Sequence, residues 1–229
     1  GNCGDGIVTG LEVCDDPSGS TCSSDCQTDY RFLLNFQIDS AGDSITLPLV
    51  YGFDYNFTVS WGDGSSSTVT SYDDEDRAHT YGIAGSYTVS ITGLMEAISF
   101  YDSEDRDKLI SVPNLGSMGW TNLQYAFRDC GNLTSVAGGD TSNVTSLRAM
   151  FKDSPLVEVD TSSWDTSNVI YMQNMFGGAS LANPDTSNWD TGQVQTMRYM
   201  FYRATAANPD TSNWDTSNVT SMAYMFRQA

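Results

Sequence analysis

The stretch WDTSNVIYMQNMFGGASLANPDTSN, residues 164–188, decides the reading of this chain. One period on stands WDTGQVQTMRYMFYRATAANPDTSN, residues 189–213, and the two align without a gap. Phe127, Phe151, Phe176, Phe201 and Phe226 carry the same step, to within one position, through the second half of the sequence. Four residues before each Phe is Leu123, Leu147, Met172, Met197 or Met222, and directly before it is Ala126, Met150, Met175, Met200 or Met225. Such a period marks a repeat array, in which no unit buries its own apolar side but stacked units share a core.

Five units run from about Leu109 to the end. Their strand-like members are LISV at 109–112, LTSV at 133–136, LVEV at 156–159, LANP at 181–184 and AANP at 206–209. Tandem DTSN-like pentapeptides follow, and because Asp, Ser and Asn bond their own backbone, they predict tight turns that each send one apolar residue inward. Regular Met beside regular Phe predicts core packing rather than a soft-metal site. Cys130, at a position where Ala179 and Ala204 occur later, reads as a small buried residue.

Trp164, Trp189 and Trp214 fall at one position of the repeat, within stacking range of one another. Exposed, they would stack on sugar rings; buried, they are structural. Asp160, Asp185 and Asp210 form one acidic column and Asp165, Asp190 and Asp215 another. Like charges in a column repel unless each carboxylate accepts turn N–H groups or shares a cation such as calcium. The Trp row and the Asp165, Asp190 and Asp215 column are the candidate binding face. The consensus WDTSNVxxMxxMFxxAxxxxxPDTSN resembles the bacterial surface-protein repeat grouped with the BspA-like leucine-rich repeats. That resemblance implies a solenoid with short helical turns and a role in adhesion.

Upstream, from Tyr30, short alternating runs (FLLNFQI, SITLPLV, NFTVSW, SSTVTSY, GSYTVSITG) are separated by Gly, Asp and Ser. Period-two alternation with closely spaced turns predicts an antiparallel β-sandwich. Trp61-Gly62-Asp63-Gly64, then His79-Thr80-Tyr81, then Gly85-Ser86-Tyr87-Thr88-Val89 resemble the hallmark motifs of a polycystic-kidney-disease (PKD) domain, which implies an immunoglobulin-like extracellular spacer. The only histidine, His79, reads as a loop-bonding residue of that motif, not a catalytic base.

Four of five cysteines, Cys3, Cys14, Cys22 and Cys26, cluster at the start of the chain, in a segment with little to bury. Such a segment needs staples, and two disulfides in an oxidising compartment would supply them, with three connectivities open. A zinc site is the competing reading, but the C-x3-C pair has no second close pair and no nearby His. The segment resembles the cysteine-rich repeats of myxobacterial surface proteins. In such a knot Asp5, Asp15, Asp16 and Asp25 would chelate calcium or stand as solvated turn carboxylates.

The formal net charge is −19, with 29 acidic residues against 10 Lys and Arg. That balance excludes a nucleic-acid binder driven by phosphate neutralisation and disfavours an anionic membrane surface. No run is apolar enough for a membrane span. No phosphate loop or nucleophile elbow appears, and a ladder of equivalent carboxylates lacks the unique constellation that catalysis needs.

The expected fold is mainly β: a small disulfide knot over 1–29, an immunoglobulin-like β-sandwich over 30–93, and a leucine-rich-repeat-like solenoid over 94–229. The expected function is non-enzymatic binding at the extracellular cell surface, to a protein or glycan on another cell or matrix, with no cofactor besides calcium. Two alternatives are a filament subunit that self-associates through its solenoid ends, and an ice or glycan binder using Thr and Trp rows.

Overall fold

A computed structural model describes residues 29–229. Cys3, Cys14, Cys22 and Cys26, and the carboxylates of Asp5, Asp15, Asp16 and Asp25, lie outside the described residues. Nine strands follow in chain order: β1 (Phe32–Ile38), β2 (Ser44–Thr46), β3 (Tyr55–Ser60), β4 (Ser66–Val69), β5 (Ala78–Thr80), β6 (Gly85–Met95), β7 (Leu109–Asn114), β8 (Ser135–Val136) and β9 (Glu158–Val159). Seven of them form one mixed sheet in the order β4-β3-β6-β1-β7-β8-β9, and β2 pairs only with β5.

The alternation seen in the sequence is obeyed strand by strand. In β1 the residues Phe32, Leu34, Phe36 and Ile38 are buried, and in β3 Tyr55, Phe57 and Val59 are. One face of each strand therefore packs inward, as period two requires. The two-sheet sandwich is not what forms. β6 pairs antiparallel with β1 along Phe32 to Ile38, and β7 takes the other side of β1 with a register shift on each side of Asn35. Alternation fixes which face of a strand is apolar but not which sheet the strand joins. Here β1 recruits β7 from the start of the repeat region, so one sheet spans both halves, and no immunoglobulin-like sandwich or PKD fold results.

The expectation of a leucine-rich-repeat solenoid with helical turns is also corrected. Strand pairing in the repeats is parallel but only two residues long, at β7–β8 and β8–β9, and it ends at β9. Asn183-Pro184 and Asn208-Pro209 stand where Glu158-Val159 stand, and proline has no N–H to give a ladder. A separate row of isolated parallel bridges, Ala97 to Asn122 to Ser146 to Tyr171 to Thr196 to Ser221, links every repeat, including those past β9.

The Met-Phe segments are not helical. In the first, the amides of Leu123, Tyr125, Phe127 and Asp129 donate to the carbonyls of Ser146, Arg148, Met150 and Lys152 in the next repeat. The intervening amides of Ala126 and Arg128 close β-turns onto Leu123 and Tyr125. A helix would aim every amide along its own axis; alternate amides here aim at a neighbour. Tyr125, Ala149, Asn174, Tyr199 and Tyr224 have φ between 50° and 62°, a left-handed conformation that interrupts any helix in every repeat. Among the described residues only two single-turn 3-10 helices occur, Glu75–Arg77 and Arg106–Lys108.

One core runs through all of this. Successive ring centroids from Phe36 through Phe100, Phe127, Phe151, Phe176 and Phe201 to Phe226 lie 6.2, 6.2, 5.8, 5.4, 5.5 and 5.5 Å apart. The column that the repeats announce thus begins upstream of them, in β1.

Candidate functional site

His79, in β5, packs against the hairpin that joins β3 to β4. Its ring stacks on Trp61 at 5.1 Å and meets Tyr81 edge-on at 4.7 Å. Nε2 lies 2.7 Å from Asp63 Oδ2, and Ser65 Oγ is 3.4 Å from the same nitrogen. Serine, histidine and aspartate together suggest nucleophilic catalysis, but the arrangement opposes it. A hydrolytic triad uses the two imidazole nitrogens for different partners, whereas a carboxylate at this distance requires the proton on Nε2 and leaves no lone pair there for Ser65. Ser65 Oγ itself donates to Asp63 Oδ1. The cluster is a hairpin lock.

Hydrogen bonds from the Ser65 hydroxyl and amide, and to a lesser extent from His79, lower the Asp63 pKa to about 2. A carboxyl with a depressed folded-state pKa adds stability that is complete above its ordinary range and is lost as pH falls through about 2. Asp63→Asn is therefore expected to be less stable than wild type in urea unfolding at pH 6, with the difference shrinking towards pH 2. A difference independent of pH would show that the lock is steric.

Each letter of the DTSN pentapeptide has a place. Asp140, Asp160, Asp185 and Asp210 accept the amides of Ser142, Ser162, Ser187 and Ser212 on Oδ1 at 2.9–3.0 Å, which closes the turn locally. Thr141, Thr161, Thr166, Thr186 and Thr191 are buried, and each Oγ1 donates to the carbonyl of an Asp one repeat on, namely Asp165, Asp185, Asp190, Asp210 and Asp215. Asn168 and Asn218 reach back to Ser142 and Gly192. The closing apolar residue points inward. The buried Thr rows are inter-repeat ties and present no flat array to solvent. Thr186→Val keeps the shape but removes the part-buried bond to the Asp210 carbonyl, so a loss of about 0.5–1.5 kcal/mol is expected, with Thr186→Ser close to wild type. Equal losses for both variants in chemical denaturation would mean that packing, not the tie, matters.

The candidate binding-face residues separate. Trp164 and Trp189 are 3% and 2% exposed, and Trp189 stacks on the half-buried Trp214 at 6.3 Å. They line the interior, so no tryptophan stripe is available to a sugar. Asp165, Asp190 and Asp215 are exposed and accept the amides of Ser167, Gly192 and Ser217 at 2.9 Å. Bonds from Ser167 and Ser217 hold the Asp165 and Asp215 carboxyls below the ordinary range. Among the described residues no group of three His, Cys, Asp or Glu side chains gathers as metal ligands.

The surface that composition hides is cationic and aromatic. Six of the ten Lys and Arg residues, Arg128, Arg148, Lys152, Arg198, Arg203 and Arg227, flank the Met-Phe segments. Guanidinium carbons lie over tyrosine rings: Arg128 over Tyr101 at 3.9 Å, Arg148 over Tyr125 at 5.4 Å, Arg198 over Tyr199 at 4.8 Å, Arg203 over Tyr202 at 5.0 Å and Arg227 over Tyr224 at 5.2 Å. Tyr199 stacks on Tyr224 at 5.0 Å. The sequence carries this signal as Arg or Lys beside four of the five recurring Phe residues, masked by the stronger apolar period.

Cys130 is a free thiol, fully buried, and burial pushes its pKa far up. Alkylation is expected to label it only after unfolding, and rapid labelling of native protein at neutral pH would contradict its burial. Among the described residues no helix is long and apolar enough to cross a membrane.

Residues 121–229, just under half of the chain, match a family model described as Mycoplasma protein of unknown function, DUF285. The match takes in the recurring Phe of all five units, Phe127 to Phe226. No curated protein and no solved structure matches the chain.

Proposed function

We propose that this chain is a non-enzymatic binding module of an extracellular surface, whose repeats present a face that holds another cell or a matrix. One observation carries the reading: the inner repeats bury their Phe, their Met or Leu and their pentapeptide Thr, and four of the five repeats place Arg or Lys, most of them beside Tyr, around the Met-Phe turn. A face repeated step by step suits adhesion to an extended ligand. It does not suit chemistry at one point, and the one Ser-His-Asp cluster lacks triad geometry.

The test is adsorption of the purified chain to immobilised mucin, collagen and whole-cell glycan. Saturable binding is expected, unchanged in Asp165→Asn/Asp190→Asn/Asp215→Asn and lost in Tyr199→Ser/Tyr224→Ser/Arg227→Gln. Absence of saturable binding to all three would reject the reading, and loss in the Asp variant alone would move the face to the acidic column.

A further inference from the structure

Arg148, Gln173 and Arg198 occupy the same position in three successive repeats, and Ala149, Asn174 and Tyr199 the next position. The shorter amide between two guanidiniums leaves a recess of about 350 Å³ lined by Arg148, Gln173, Asn174, Thr196, Arg198 and Tyr199. No carboxylate lines it, in a protein of net charge −19. Among the described residues neither arginine forms an ion pair. Both are held over tyrosines instead, Arg148 over Tyr125 and Arg198 over Tyr199. Between them the Gln173 Oε1 is shielded from solvent and has no hydrogen-bond partner.

We infer that this recess binds uronic-acid units of an acidic oligosaccharide. The inference rests on the binding-module reading and names its ligand class. The two guanidiniums are two repeat steps apart, about 10 Å at the spacing of paired strands, too far for one small anion to bridge. Two rings of an extended uronate chain cover a comparable span. A guanidinium fork matches a carboxylate in a bidentate way, and the sugar ring holds that carboxylate at a fixed angle. The floor offers an unpaired acceptor on Gln173, an amide on Asn174 and a hydroxyl on Thr196, which suit hydroxyl groups that both donate and accept. An acidic peptide presents its carboxylates on flexible arms and gains less from the fixed pair. Repulsion by carboxylates outside the lining is damped over a Debye length of about 8 Å at physiological salt, so the carboxylate-free lining dominates locally.

The experiment is isothermal titration of the whole chain at physiological ionic strength with trigalacturonic acid, triglucuronic acid and the methyl esters of both. At least one acid is expected to bind saturably, with its ester weaker by about tenfold or more, because the ester removes the charge-assisted bonds. Arg148→Gln and Arg198→Gln should each weaken the acid by about tenfold at an unchanged melting temperature. Arg106→Gln, in the upstream 3-10 turn and not among the lining residues, should match wild type. Failure of both acids at millimolar concentration, equal binding of acid and ester, or full binding in both Arg variants would overturn the inference. So would mole-for-mole competition by inorganic phosphate or an Asp-rich peptide, which would reduce the recess to a general anion patch. A negative titration beside saturable adsorption to mucin, collagen or cell glycan removes the uronate and keeps the binding module; failure of both assays removes both.

Discussion

Phe176→Ala is expected to lower the melting temperature by roughly 6–20 °C, the shift that about 3–5 kcal/mol produces in a chain of this size. Phe176 is fully buried between Phe151 and Phe201, with stacked centroids 5.4 and 5.5 Å away. Truncation opens a cavity in the middle of the column, and the flanking repeats cannot close on it because their backbones are tied by amide-to-carbonyl hydrogen bonds above and below. The Phe176 amide donates to Met200, and the Phe151 amide donates to Met175. Asp185→Ala makes the contrasting control, since its carboxylate is exposed and caps one amide. Comparable shifts for the two variants, in the presence of chelator, would mean that the column is not the core.

Gly93→Ala is the second large effect, and it strikes the sheet rather than the repeats. Gly93 sits in β6 opposite Phe57 with φ near 119°, a region where a side chain is strained. A Cβ there would stand 2.5 Å from the Asn56 carbonyl oxygen and 2.8 Å from the Phe57 Cα, both backbone atoms of β3. Strain contributes about 1–3 kcal/mol and displacement of the neighbouring strand about as much again. The expected result is a loss of about 2–6 kcal/mol in urea unfolding. A near-neutral Gly93→Ala would place β6 and β3 farther apart than this pairing allows.

These two sites mark what the sequence could and could not announce. The column at Phe176 was legible, because a Phe that recurs once in every repeat, beside an equally regular Met, has no better explanation than a shared core. Its upstream members were not: Phe100 stands out of step with Phe127 and the later rings, and Phe36 belongs to a strand of a different pattern. Alternation in β1 and β3 gave their buried faces, while the pairing of β1 with β7 depends on a contact far along the chain that no local pattern encodes. The Met-Phe turns hid for another reason. Left-handed backbone at Tyr125, Ala149, Tyr199 and Tyr224 falls on residues that do not favour it, so nothing in the composition warned against a helix. The Thr of each pentapeptide read as a turn residue because its true partner, a carbonyl one repeat on, is visible only once the repeats are stacked. The Arg and Tyr face is likewise a product of stacking, which sets side chains from successive repeats over one another.

Which side chains face outward rests on the amides of the Met-Phe segment bonding alternately to the next repeat and to their own turn. Residue-resolved amide exchange of the whole chain tests this most directly. In the last repeat the Met225 and Arg227 amides donate to Met222 and Tyr224 within the same turn, whereas the Tyr224 and Phe226 amides have no carbonyl to meet. In the preceding repeat the equivalent Tyr199 and Phe201 amides donate to Ala223 and Met225. The stacked-turn account predicts slow exchange at Tyr199 and Phe201, slower exchange at Met225 and Arg227 than at their neighbours, and fast exchange at Tyr224 and Phe226. Equal protection at Tyr224, Met225, Phe226 and Arg227 would mean bonds closed within the segment, as in a helix, and would contradict it.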